Sequence, residues 1–180
     1  MNVQLIKIYG DEEFIKTVSG KSHESNGATI KNLIKWGHLS PLEFADVTFL
    51  VTAPIFVARQ IMRHRTGSYM ERSLRYCEAN MTFFTPDSSK YGYEMAYDIA
   101  YASYQKLLSG GATKEQARAV LPVGLYTSFY MKMDMRNLTH FLQLRTAENT
   151  QKETRDVANM MLDLIEPTFP TIAKYIRGEK

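Results

Sequence analysis

The chain has 180 residues and a formal charge of +3, a length that suits one domain, taken as residues 1–180, with a sizeable core. So mild a charge, without a concentrated Lys/Arg stripe, argues against a general nucleic-acid binder. No apolar run nears the ~20 residues that cross a bilayer, and MNVQLIKIYGDEEF has no signal-peptide core, so the chain reads as cytoplasmic, off the membrane, and with Cys77 as its only cysteine it forms no intrachain disulfide.

Residues 3–9, VQLIKIY, alternate and predict a strand that Gly10 ends. Asp11 is placed to cap a helix through about Val18. Residues 19–27 read as a loop in which His23 is solvated. A helix follows over about 28–36, with Ile30, Leu33, Ile34 and Trp36 inward. Ser40-Pro41-Leu42-Glu43 has a helix-start signature good for a single turn. Phe44 to Thr52 then reads as a strand. Pro54 opens a helix to about Met62 that is apolar almost all round, which predicts burial and partners for Arg59 and Gln60.

MTFFTP (81–86) reads as extended and ending in a turn. Tyr93, Tyr97, Tyr101, Tyr104 and Leu108 recur at helical spacing up to Gly110-Gly111, as a core or interface stripe. Thr113 and Gln116 form a capping-box start. LYTSFYMKM (125–133) reads as a strand, and helices are expected over about 136–145, 150–166 and 171–177. The sum is an α+β fold: a small mixed or antiparallel sheet with flanking helices. Ten Met and eleven Tyr suit a large ligand or a subunit interface, and plain core packing equally.

The chemistry is concentrated in Gln60, Arg63, His64, Arg65, Ser68, Glu71, Arg72, Ser73, Arg75 and Tyr76. Arginines grip phosphate bidentately, and serine hydroxyls add hydrogen bonds. Glutamate accepts from a ribose hydroxyl or fixes an arginine. The same pattern also fits a structural salt-bridge loop. SGGATKE (109–115) is not a phosphate loop and there is no G-x-G-x-x-G, so a nucleotide here would be held by side chains. No His/Cys/Asp/Glu spacing suggests a metal site.

RHR, seven residues, Ser and then x-R-Y (63–76) resembles the signature of the flavin-dependent thymidylate synthases. GHLSPLEF (37–44) resembles the family's GHxSxxEH segment. APIFVARQIMRHR, ARAVLP, LYTSFY, RNLTHFLQLR and QKE extend the similarity over most of 30–155. The resemblance implies methylation of dUMP to dTMP, with carbon from 5,10-methylenetetrahydrofolate and hydride from FAD reduced by NADPH. It implies a dUMP site of Gln60, Arg63, Glu71, Ser73, Arg75, Arg118 and Arg145. Arg145 is the catalytic residue in this reading: a fixed guanidinium favours uracil ionised at N3, which sends electron density to C5. The resemblance further implies an FAD site of His38, Ser40, Arg63, His64, Arg65, Glu71, Asp134, Arg136 and His140, and a homotetramer whose sites are shared between subunits.

Three departures stand out: Met70 for the family's Asn, Asp134 where Asn is common, and Ala45 read in place of the His closing GHxSxxEH. They leave open a diverged relative that acts on another pyrimidine nucleotide or transfers a hydroxymethyl group. A non-catalytic nucleotide- or RNA-binding protein that kept the arginines is a third reading. Cys77 reads as a buried structural thiol, since the signature has no cysteine there, and Ser73 as a ligand of substrate, since no base is paired with it.

Overall fold

The computed structural model describes residues 1–21, 24–86 and 92–179. Four strands, β1 (Asn2–Tyr9), β2 (Asp46–Pro54), β3 (Ser68–Glu71) and β4 (Tyr126–Asp134), form one sheet in the order β1-β2-β4-β3. Every neighbouring pair is antiparallel, so the α+β expectation holds with the antiparallel alternative.

The strands bury alternate residues, as the period of two requires. Val47, Phe49, Val51 and Ala53 of β2, with Phe129, Met131 and Met133 of β4, face a core that takes in residues of α1 (Glu12–Gly20), α2 (Ile30–Trp36), α3 (Ile55–Ile61), α6 (Met135–Arg145), α7 (Lys152–Ile165) and α8 (Pro170–Arg177). On the other face, Met70, Tyr130 and Leu50 lie in register across β3, β4 and β2. Met70 is 72% and Tyr130 47% exposed there. A smaller cluster forms around fully buried Tyr104 of α4 (Tyr93–Ser109), with Ala79, Leu125 and Ala117 of α5 (Lys114–Ala117).

The helix signals are realised at the atoms. The Asp11 side chain accepts from Phe14 N at 2.7 Å, and Thr113 and Gln116 make a complete capping box at the start of α5. The Ser40-Pro41 signature gives a short 3-10 turn, Ser40–Phe44. Phe83 bridges to Leu125, so the segment after Met81 is extended. His23 and the turn expected beyond Pro86 lie outside the described residues.

Several expectations are corrected. Trp36 is 55% exposed rather than inward. At ~100° per residue it lies about 120° round α2 from Ile30, off the stripe that Ile30 and Leu33 bury. Arg59 is exposed, because α3 turns Val57, Ala58 and Ile61 into the core and Arg59 sits about 200° from Val57. The strand expected from Phe44 begins at Asp46, after the 3-10 turn. β3 has no strand signal of its own in the sequence. Its inner face carries Tyr69 and Glu71, not an apolar pair, so the four residues lack a half-buried alternation; pairing with β4 creates the strand.

Candidate active site

Helix α3 separates two groups of polar side chains. Ile55, Ala58, Arg59 and Met62, one helical face by their spacing, form a wall of a cleft of about 540 Å³. Glu71, Arg72 and Ser73 bound it at the end of β3, with Arg118 from the turn after α5 and Thr127 from β4. The Thr127 hydroxyl donates to Glu71 Oε1 at 2.7 Å and fixes that carboxylate. Arg72 Nη2 donates to the Glu78 carbonyl at 2.7 Å, and its backbone N–H bonds Ser128 O at 2.9 Å, which extends the sheet into the cleft edge. Arg59 and Arg118 make no side-chain hydrogen bond or ion pair to any other described residue. Two uncommitted guanidiniums beside a serine hydroxyl and a carboxylate can bind an anionic group that also carries hydroxyls.

Gln60, one step along α3 from Arg59, turns towards α7. Its side-chain carbonyl accepts from Thr154 Oγ1 at 3.0 Å, and its amide bonds Gln151. Its backbone carbonyl accepts from Arg145 Nη2 at 3.2 Å, and Arg145 Nε donates to His64 Nε2 at 2.9 Å. The His64 ring meets Phe141 edge-on, with centroids 4.7 Å apart. Burial, then the charges of Arg145 and His140, hold the His64 pKa below the ordinary 6.5. The turn behind His64 is pinned by the Tyr69 hydroxyl, which reaches the carbonyls of His64 at 2.8 Å and Ile61 at 3.2 Å; burial pushes that phenol up to about 12.

A third group lies beside α2. His38 and Ser40 line a cleft of about 1110 Å³ with Asn32, Trp36 and Phe44, and the Trp36 and His38 rings meet edge-on at 6.2 Å. Arg136 pairs with Glu43. Asp134 caps α6, its two oxygens taking Asn137 N at 2.9 Å and Asn137 Nδ2 at 2.6 Å. Arg63, Arg65 and His140 are exposed.

One chain therefore gathers Glu71, Ser73 and Arg118 in one place, Gln60, His64 and Arg145 in a second, and His38 and Ser40 in a third. Arg75 is drawn off to Glu115, 3.1 Å away, and does not line the cleft. Polar donors beside exposed aromatic rings suit a dinucleotide with a planar ring system, but the residues expected to hold FAD are spread over the chain. Cys77 is exposed, not buried. Counting from Gly37, the position of the family's closing His falls on Phe44 rather than Ala45: Phe44 stands at the rim of the large cleft, and Ala45 is fully buried. Sequence reasoning marked Arg59 only as a polar residue of a buried helix in need of a partner. Its place four residues after Ile55 on one helix face was the available signal. Among the described residues no group of three or more His, Cys, Asp or Glu could hold a metal ion.

The architecture and these side chains define an α+β protein with an arginine-rich cleft beside α3. Residues 4–171 match the family described as Thymidylate synthase complementing protein. The chain is similar to flavin-dependent thymidylate synthases from Streptomyces coelicolor (39% identity, covering 89% of this chain and 70% of that protein) and Thermus thermophilus (35%, 93% and 72%). A third, from Wolbachia pipientis wMel, is 36% identical and covers 83% of this chain and 62% of that one. The chain thus spans 62% to 72% of the length of these relatives. Among solved structures, a UMP/dUMP methylase, PolB, from Streptomyces cacaoi bound with 5-Br UMP superposes with a TM-score of 0.89 at 30% identity, covering 98% of this chain and 93% of that one. The chain belongs to the flavin-dependent thymidylate synthase family of enzymes.

Proposed function

We propose that residues 1–180 work as one cytoplasmic domain that methylates dUMP at C5 to give dTMP, with 5,10-methylenetetrahydrofolate and NADPH as cosubstrates and FAD as the bound cofactor. The observation that carries this reading is the cleft that collects Glu71, Ser73 and Arg118 from separate segments of the chain. Arg118 and the Ser73 hydroxyl suit the nucleotide phosphate. Glu71, held by Thr127, suits a sugar hydroxyl. Arg145 uses Nε and Nη2 within the protein, which leaves Nη1 for the uracil N3 edge. A fixed cation there favours the N3 anion and raises the electron density of C5, the carbon that attacks. When bound, the flavin supplies hydride; His38 and Ser40 would contact it from the large cleft, with Arg63, Arg65, Glu71, Asp134, Arg136 and His140 as the remaining candidates, and His64, its Nε2 taken by Arg145, outside that set.

The distribution of these groups favours a homotetramer. Arg118 lines the cleft and Arg145 does not, so a second copy supplying one of them to the other's site completes the constellation. The outward Met70–Tyr130–Leu50 row is a surface such a copy could cover.

A second reading, that UMP is accepted beside dUMP, is favoured by the solved UMP/dUMP methylase, whose chain this one matches over 93% of its length. The test is product analysis by mass spectrometry on flavin-loaded protein given NADPH, the folate and either dUMP or UMP. Formation of dTMP supports the first reading, and 5-methyl-UMP as well supports the second. A flavin-free protein that binds nucleotide without turnover overturns both.

A further inference from the structure

We infer that His64 is the positioning residue of Arg145, its neutral imidazole accepting the Arg145 Nε–H and holding the guanidinium in place. The inference rests on the role proposed for Arg145 above.

Guanidinium nitrogens only donate, so His64 Nε2 must carry the lone pair in the 2.9 Å contact and Nδ1 the proton. Arg145 is then gripped at two points on one edge, by His64 Nε2 and by the Gln60 carbonyl. Each grip is itself anchored. Gln60 is tied to Thr154 and Gln151 of the α7 region. The His64 ring rests edge-on against fully buried Phe141, and its backbone carbonyl is bonded by Tyr69. A long, flexible side chain in the last turn of α6 thus has one orientation set by two different elements.

The arrangement has a protonation limit. An imidazolium has no acceptor and would set a second cation against Arg145. The charged or titratable groups facing His64 are Arg145 and His140 from α6, with the Tyr69 hydroxyl from β3 at its carbonyl; none is an acid that would favour protonation. The neutral form is therefore kept below the ordinary histidine range. The stability this contributes is complete above pH 6.5 and is lost as pH falls through the lowered value.

Two measurements test the assignment. Nitrogen-15 NMR of the imidazole, which needs no turnover, should show the Nδ1–H tautomer and a titration below 6.5 that moves up in Arg145→Ala. An Nε2–H tautomer, or a titration indifferent to Arg145→Ala, overturns the contact. In turnover, His64→Leu should keep its fold and flavin and lose about 100-fold in kcat, the scale of a misplaced catalytic group. His64→Gln, which restores an acceptor, should recover most of that loss and remove the acid limb of the pH profile. A folded His64→Leu protein with undiminished kcat, or one that loses flavin while Arg145→Ala retains it, would show that His64 serves another purpose. Failure of the wild type to turn over dUMP would count against the proposed function alone, because the NMR arm still decides the His64 assignment.

Discussion

Glu71 and Cys77, six residues apart, show how little of a side chain's environment is written in its neighbours. Glu71 lies on the core-facing side of β3 and is held by Thr127, whose position opposite Ala53 comes from β4 register. Thr127→Val removes that hydrogen bond, worth about 1 kcal/mol, and frees the carboxylate; we expect roughly a five-fold rise in the KM for dUMP, measured by steady-state kinetics, with little change in kcat. Cys77 is exposed and stands outside the residues lining the cleft. Cys77→Ala should therefore retain full tritium release from tritiated dUMP, and loss of that activity in a folded, flavin-loaded variant would make the thiol a participant.

Among the elements, α6 links one departure from the family pattern to Arg145, the residue proposed to act on the uracil. Asp134 begins it as a doubly bonded cap and Arg145 ends it. Asp and Asn cap about equally well, which accounts locally for a carboxylate at this position. Asp134→Ala should cost about 1 kcal/mol in urea unfolding, whereas Asp134→Asn should cost only a few tenths; equal losses would mean the cap is not what Asp134 provides. Helices announced by caps and apolar spacing, such as α1, α5 and α7, were legible in the sequence because those signals act within one turn. The short strand β3 was not, since it exists only through pairing with β4, a partner distant in sequence. Likewise the motif 63–76 named the chemical groups, but neither the Arg145–His64 contact nor the separation of Arg59 from Gln60 across α3 can be read from adjacency. Both follow from where α6 and α7 pack.

For the whole molecule, the decisive feature is that one copy places Arg118 in the lining of the cleft and Arg145 outside it, bonded to the Gln60 carbonyl and His64. An outward row of Met70 and Tyr130 on the sheet fits with a surface that another copy covers. Tyr130→Glu would bury a charge in such a contact, so native mass spectrometry should show it shifted from tetramer towards smaller species; an unchanged tetramer would place the interface elsewhere. The most direct test of the shared site is subunit complementation. Arg118→Ala and Arg145→Ala chains, each inactive alone, are co-expressed with different tags, and the hetero-oligomer is isolated and assayed for dTMP formation. Recovered turnover is the predicted result, because some sites then combine an intact Arg118 from one copy with an intact Arg145 from another. A flavin-loaded hetero-oligomer that stays inactive, beside an active wild type, would contradict it.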